Sequence, residues 1–256
     1  MAVTGPDNSA LVGYVLSLGD DSLVAAQRLA EWIAASPQLE EDVAVGNIAL
    51  DLLGQARSLL TYAGSLEDPP RTEDDLAYFR DERDFRSVHL VERVNGDFGV
   101  TMARLLFLSS YHYELYARLQ RSADETLAAI AAKAVKEVDY HRDHATMWVL
   151  RLGDGTELSH ARMQAAVDAE WPYVEELFGN EHLDPALVGS GVAVDPAELR
   201  GPWREYVAGV LAEATLTLPD VPPAVTGGRR GVHDEQMGYL LAEMQHLARS
   251  HPGATW

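Results

Sequence analysis

Asp51, Glu137, His141 and His144 are the residues of this chain whose types and spacing could hold a transition metal. Carboxylates and imidazoles together suit iron, and residues three or four apart on a helix share one face, so one turn can deliver both to the same ion. Glu137, His141 and His144 lie along one face of a helical stretch with Trp148, and His112 with Glu114 sits on the neighbouring one. A four-helix bundle that binds two irons takes one Glu from each of two helices and a Glu-x-x-His pair from each of the other two. In antiparallel helices those ligands lie at similar depths from the connecting loops. At those depths the chain offers Gln27 on the first helix, Asp51 with Gly54 on the second, Ser109 on the third, and Glu137 with Tyr140 on the fourth. Both imidazole positions hold non-ligands (Gly54, Tyr140), and both lone carboxylate positions hold Gln27 and Ser109. Asp51 and Glu137 alone would hold a di-iron pair poorly. Shifting the register by one position recruits His141, but Val138 then replaces the carboxylate of the pair.

The expectation is therefore a site with no metal, in which Asp51, Glu137, Gln27 and neighbouring Arg or His groups form a paired polar cluster, because buried charges must be paired. The rival is an independent metal-dependent oxygenase or oxidase using Glu137, His141, His144 and Asp51. A metal store is the weakest reading, since a carboxylate-rich path for ions is missing. His89, His160, His182, His246 and His251 are scattered and read as solvated.

The elements that must position these residues are helical almost throughout. Asp20-Asp21-Ser22 reads as an N-cap, since its side-chain oxygens can accept from free backbone N–H groups. Apolar residues follow at Leu23, Ala26, Leu29, Ala30 and Ile33, on a helix ending before Pro37. A longer helix is predicted from about Leu39 to Ser65, with a stripe that includes Val43, Ile48, Leu52, Leu53, Ala56 and Leu59. A third runs from Asp97 to Ser122, with Met102, Leu105, Leu106 and Leu108 inward. A fourth runs from Asp124 to Leu152, and Gly153-Asp154-Gly155 stops it. Beyond lie a helix over Ser159–Phe178 that must restart at Pro172, a Gly- and Pro-rich connection to Pro196, a helix over Ala197–Thr215, a loop over Thr217–Val232, and a final helix over Asp234–Arg249. No strand and no internal repeat is evident. The fold class is all-α: a four-helix bundle (residues 20–152) with appended helices (153–256) in a single domain, behind an N-terminal tail (1–15).

The chain has 256 residues, 40 acidic against 20 basic, a formal charge of −20 and no cysteine. That charge argues against nucleic acid, whose phosphates demand Lys and Arg, and against an anionic membrane surface. Without cysteine there is no disulfide, iron–sulfur cluster, thiolate zinc site or thiol nucleophile. Neither a secretory signal nor a stretch of roughly 20 apolar residues is seen, so a cytoplasmic protein is expected. Acidic runs such as Glu40-Glu41-Asp42, Glu73-Asp74-Asp75 and Glu175-Glu176 read as solvated faces. One segment departs from the acidic character, Thr226-Gly227-Gly228-Arg229-Arg230-Gly231-Val232-His233. Its glycines would let backbone approach a partner while paired Arg binds phosphate or carboxylate. Equally, it could be a structural loop whose Arg neutralise nearby Asp and Glu.

Several segments carry a family resemblance. Ala30-Glu31-Trp32, Asn47-Ile48-Ala49-Leu50-Asp51-Leu52-Leu53-Gly54-Gln55-Ala56-Arg57, Arg80-Asp81-Glu82-Arg83 and Asn95-Gly96-Asp97-Phe98 are followed in order by Lys136-Glu137, Tyr140-His141 and Gly191-Val192-Ala193-Val194-Asp195-Pro196. Gly227-Gly228-Arg229-Arg230-Gly231, Leu241-Ala242-Glu243-Met244-Gln245, Pro252-Gly253 and Trp256 complete the set. The chain thereby resembles the structural C subunits of bacterial phenylacetyl-CoA epoxidases, from about Leu16 to Trp256. The resemblance implies a ferritin-like fold and a place in a multicomponent monooxygenase that epoxidises the ring of phenylacetyl-CoA in aerobic phenylacetate breakdown. It implies that the di-iron cofactor belongs to the homologous catalytic A subunit, with none in this subunit, and that reductase and accessory subunits complete the assembly. It also implies CoA-thioester contacts at Glu82, Arg83, Asp84 and Phe85, and at Leu183, Asp184 and Pro185.

Overall fold

The computed structural model describes residues 8–254, and every regular element in that span is helical. Helix α1 (Ser9–Ala30) turns back through residues 31–38 into α2 (Leu39–Ser65), and the two pack along their length. Acidic Glu40, Glu41 and Asp42 fill the first turn of α2, where they suit the helix dipole. Short helices α3 (Glu73–Tyr78) and α4 (His89–Glu92) then cross one end, with a 3-10 turn over Glu82–Asp84 between them.

The second long pair is α5 (Phe98–Leu119) and α6 (Glu125–Gly153). Each is started by an aspartate that accepts a backbone N–H, Asp97 from Val100 and Asp124 from Leu127. Helix α7 (Glu157–Glu170) continues into a 3-10 segment over Trp171–Phe178 that begins at the expected Pro172 restart. Helices α8 (Pro185–Gly189), α9 (Arg200–Glu213) and α10 (Glu235–Ser250) complete the chain. Helices α7 and α9 pack on α5 and α6, while α10 closes over α3 and α4. The all-α bundle expected from the periodicity is thus what forms.

One apolar core runs from Tyr14 to Leu241. Its aromatic centre joins α5 to the appended helices: the Trp203 indole donates to the Phe107 carbonyl at 2.9 Å, ringed by Phe107, Trp171 and Phe178. A buried indole N–H with a partner is the stable arrangement.

Several expectations need correction. The first helix begins at Ser9, so the segment read as a tail is already helical from there, with Tyr14 and Val15 buried; residues 1–7 lie outside the described span, as does Trp256. Asp20-Asp21-Ser22 is no cap: all three are buried in mid-helix, where the carboxylates meet arginines from later segments. Helix α1 is also long and apolar enough to cross a membrane by length and composition, contrary to the reading of the sequence, but 72% of the qualifying window is buried inside this fold. Val43 and Leu53, placed on the inward stripe of α2, are exposed, because inward turns of α2 are taken by Glu41 and Gln55.

Candidate functional site

Across the seam where α2 meets α6, polar side chains face one another in pairs. Gln55 Nε2 donates to Glu137 Oε2 at 3.0 Å, and the opposite oxygen of Glu137 meets the exposed Lys133 ammonium at 3.3 Å. One turn further, His141 Nε2 lies 3.1 Å from Asp51 Oδ2. Next along α6, His144 Nε2 and Glu41 Oε2 are 3.2 Å apart, yet misaligned, so neither atom forms a hydrogen bond. The antiparallel run of the helices explains the order: descending α2 through positions 55, 51 and 41 meets ascending α6 at 137, 141 and 144.

Burial governs the imidazoles here. It pushes His141 below the ordinary imidazole value despite the hydrogen bond to Asp51, and pushes His144 down despite Glu41. On α5, His112 is fully buried against Tyr111 and Tyr116, and burial lowers it to about 3, with His141 adding to the effect. All three rings are therefore neutral near pH 7.

The other positions of the expected ligand set do not converge. Gln27 is half-buried on α1, Gly54 has no side chain to offer, and the Ser109 hydroxyl donates back to the Leu105 carbonyl at 2.6 Å within its own helix. Tyr140 is 52% exposed, its ring against those of His141 and His144. Among the described residues no group of three or more His, Asp and Glu gathers around a common point. The rival set of Glu137, His141, His144 and Asp51 is split between separate partners. A di-iron centre needs bridging carboxylates free on both oxygens, and these donors do not fit one.

A second set of buried charges ties α1 and α5 to the rest of the chain, and its Arg229 fulfils the structural alternative offered for the Thr226–His233 loop. Arg80 binds Asp20 through both terminal nitrogens, and the same carboxylate accepts the Arg86 N–H at 2.8 Å. Arg229 grips Asp21 at 2.7 and 3.0 Å and also donates to the Ser17 and Arg86 carbonyls. Burial still pushes the Asp21 carboxyl up to about 6. Glu170 takes Arg93 and Arg104 at 2.9 and 3.0 Å. His233 donates from Nδ1 to Glu92 at 2.5 Å and from Nε2 to the Phe85 carbonyl at 3.1 Å. Burial pushes the Glu92 carboxyl up, and wherever Glu92 is ionised the two acceptors on two ring nitrogens make His233 the imidazolium. Burial opposes that charge, but the hydrogen bond and charge of Glu92 outweigh it and hold His233 above its ordinary value.

The segment Thr226–His233 is thus a structural loop, at least through Arg229 and His233. Gly231 adopts φ +72°, and any Cβ there or at Gly228 would strike the carbonyl of Arg83 or Ser87. Glycine alone permits that approach. Some residues read as solvated are built in as well. His89 is buried and bonds to the Val232 carbonyl at 2.7 Å, while His160 and His182 are half-buried. Glu41 is buried, and Glu176 accepts the His89 and Gly228 N–H groups at 2.8 and 2.7 Å. Part of the signal is present in the sequence: Arg80 and Arg229 come from segments with unusual Arg content, whereas Arg104 stands alone in the apolar run of α5.

The segments implied to touch a CoA thioester lie in two places. Glu82, Arg83 and Asp84 form the exposed 3-10 turn, and Asp84 accepts the Asp81 N–H. Phe85 is fully buried, with the Arg80 guanidinium 4.1 Å from its ring centroid. Leu183 is buried, and Asp184 caps α8, whose first residue is Pro185. A groove of about 420 Å³ opens beside the loop that precedes Leu183, walled by Glu175, Glu181, His182, Arg200, Thr226 and Arg230; neither segment lines it.

The family model described as phenylacetic acid catabolic protein matches residues 3–256. The chain belongs to that family. The C subunit of 1,2-phenylacetyl-CoA epoxidase from Escherichia coli (strain K12) is 47% identical over 246 residues, spanning 96% of this chain and 99% of that one. The resemblance carried by the ordered motifs is therefore real along the whole chain. In this member of the phenylacetic acid catabolic protein family, the α2/α6 seam holds an ordered row of His–carboxylate and Gln–carboxylate pairs.

Proposed function

We propose that the chain is a non-catalytic C subunit of a multicomponent phenylacetyl-CoA epoxidase. It holds the catalytic A subunit in its working form, while the di-iron cofactor resides in that catalytic partner and reductase and accessory subunits supply electrons. The observation that carries this reading is the seam itself. On a chain 47% identical to a relative named as the C subunit of such an epoxidase, Asp51 and Glu41 are each occupied by one histidine and Glu137 by Gln55 and Lys133. A ferritin-like ancestry accounts for the matching depths of these positions, and a cytoplasmic address follows from a role in acyl-CoA metabolism.

The test is reconstitution. Ring epoxidation by the assembled enzyme should require this chain, should survive His141→Ala, and should leave iron only with the A subunit. About two irons per copy of this chain, retained through dialysis, would sink the reading. The reading extends to the thioester: Arg83, exposed on its 3-10 turn, would bind a CoA phosphate or pantetheine carbonyl. Arg83→Ala should raise KM for phenylacetyl-CoA several-fold with kcat little changed; an unaltered KM removes that extension.

A further inference from the structure

The 3-10 turn that carries Arg83, and the chain just after it, rest on the Thr226–His233 loop at three carbonyls. Gly231 backs onto the Arg83 carbonyl and Gly228 onto that of Ser87, so closely that a Cβ would lie 2.2 and 1.9 Å from the oxygens. Between them, His233 Nε2 reaches the Phe85 carbonyl at 3.1 Å. The two glycine contacts do not depend on pH. The middle one is a hydrogen bond from a titratable ring.

Its other nitrogen decides whether that bond exists. His233 Nδ1 faces Glu92 Oε1 at 2.5 Å, with both side chains closed to water, and Ser87 Oγ donates to the same oxygen at 3.0 Å. While one proton is shared between Nδ1 and Oε1, Nε2 keeps a hydrogen of its own and donates to Phe85. This holds whichever partner carries the shared proton. Once that proton leaves to water, one ring hydrogen remains. It goes to Nδ1, because a hydrogen bond to a carboxylate is roughly twice as strong as one to a neutral carbonyl. Nε2 then turns a lone pair on the Phe85 oxygen, and two acceptors at that distance repel. Arg86 Nη1 still donates to the Phe85 and Arg83 carbonyls at 2.8 and 2.7 Å, so the turn shifts without unravelling.

Charges of both signs surround the pair. Glu82, on the turn itself, adds negative charge that favours a protonated ring. His89 of α4 has its ring centroid 6.4 Å from that of His233 and directs Nε2 to the Val232 carbonyl. From α1, Arg28 donates to the Glu92 carbonyl at 2.6 and 3.0 Å. Asp234, next in the chain, accepts the Gln236 N–H at the start of α10. Burial raises the Glu92 carboxyl, and Glu92 in turn raises the ring, so the shared proton is held to a pH above the ordinary imidazole value.

We infer that His233 is a positioning residue for the thioester contact: with the Glu92–His233 proton in place it sets the Phe85 carbonyl and the turn bearing Arg83, and loss of that proton in alkali weakens thioester binding without altering the chemical step. This rests on the reading that gives Arg83 to the CoA thioester, and adds how that contact is regulated.

The test is the KM of the assembled enzyme for phenylacetyl-CoA from pH 6.5 to 9.5, compared between parent and variants so that titrations common to both cancel. Glu92→Gln keeps the shape of the side chain and donates its amide to Nδ1, which leaves the hydrogen on Nε2 at every pH. Parent and Glu92→Gln should therefore share one KM at pH 6.5, and the parent should lie at least fivefold higher at pH 9.5, with kcat values within twofold throughout. His233→Gln should show a KM raised several-fold at pH 6.5 that meets the parent's by pH 9.5. Melting curves at each pH check that the variants are folded. Independently of any variant's activity, the 15N signal of the His233 ring, assigned by its loss in His233→Gln, should show Nε2 protonated at pH 6.5 and bare at pH 9.5. A parent KM that tracks Glu92→Gln across the range, or an Nε2 that keeps its hydrogen at pH 9.5, overturns the latch and leaves the reading as an epoxidase component intact. If Arg83→Ala also leaves KM unaltered, the thioester contact at this turn falls and the latch falls with it.

Discussion

Buried charge is handled differently on the two flanks of this bundle. Around α1 and α5, Asp20, Asp21 and Glu170 each meet at least one guanidinium, and backbone N–H groups fill the remaining lone pairs of Asp20 and Asp21. Across the α2/α6 seam Asp51 and Glu41 meet neutral rings while Glu137 meets an amide and the exposed Lys133 ammonium; Asp51 keeps 38% of its side chain in water, and the Glu41–His144 contact is misaligned. The first arrangement sets buried carboxylates against full cations, with Arg229 Nε and Glu92 Oε2 left without a hydrogen-bond partner, and it fixes how distant segments close on α1. The second pairs its carboxylates with neutral rings, an amide and a solvent-exposed ammonium. Locking and metal-like positions are thus separate inventories, although both are made of Asp, Glu and His.

Removing a clamp should have the largest effect. Arg229→Met leaves Asp21 buried without its cation, so stability should fall by about 3–5 kcal/mol, measured by urea unfolding. A loss under about 1 kcal/mol would show that the two flanks do not differ. Next comes His233→Gln, which removes a charged hydrogen bond to Glu92; the expected loss is about 1.5–3 kcal/mol at pH 6.

The same residue sets the sign of a pH effect. The folded-state value of His233 lies above the unfolded one of about 6.5, so its contribution is complete below that pH and fades as pH rises through the folded value. His141 and His144 are shifted the other way, so the seam is at full strength above about pH 6.5 and weakens as pH falls through their folded values. Melting curves across pH 5–9 should therefore lose their alkaline decline in His233→Gln and part of their acid decline in the His141→Gln, His144→Gln double variant. Identical profiles for both variants would erase the contrast.

Smaller still is His141→Asn at neutral pH. Asp51 can rehydrate, so the cost should be no more than about 1 kcal/mol. The slightest change is of opposite sign: Gly46→Ala should add roughly 0.5–1 kcal/mol to the isolated chain.

Much of the fold can be read from periodicity. Helix α2 has the bounds its apolar stripe and flanking breakers predict, Leu39–Ser65, and the restart at Pro172 falls where proline's missing N–H demands it. The candidate seam is half legible: spacing places Asp51 and Glu137 at the right depth, whereas nothing local singles out Gln55 and Glu41, their neighbours on α2. Glu41 sits in an acidic run of a kind that is usually solvated, and only the arrival of His144 from another helix buries it. Asp20-Asp21-Ser22 misleads for a similar reason. Three capping-type residues in a row suggest a helix start when only local sequence is weighed, but Arg80 and Arg229, supplied from far along the chain, allow them to stay inside a helix. Long-range charge pairing leaves no periodic trace.

That long reach has a consequence for how the protein is made. Asp21 waits for Arg229, 208 positions downstream. On a ribosome adding about 5–20 residues each second, α1 emerges well before its counter-ion is synthesised. During that interval the N-terminal helices can pair, but the carboxylate has no reason to leave water. Final closure of α1 is therefore post-translational, and a nascent chain arrested before residue 229 should expose α1 to proteases that spare it in the released protein.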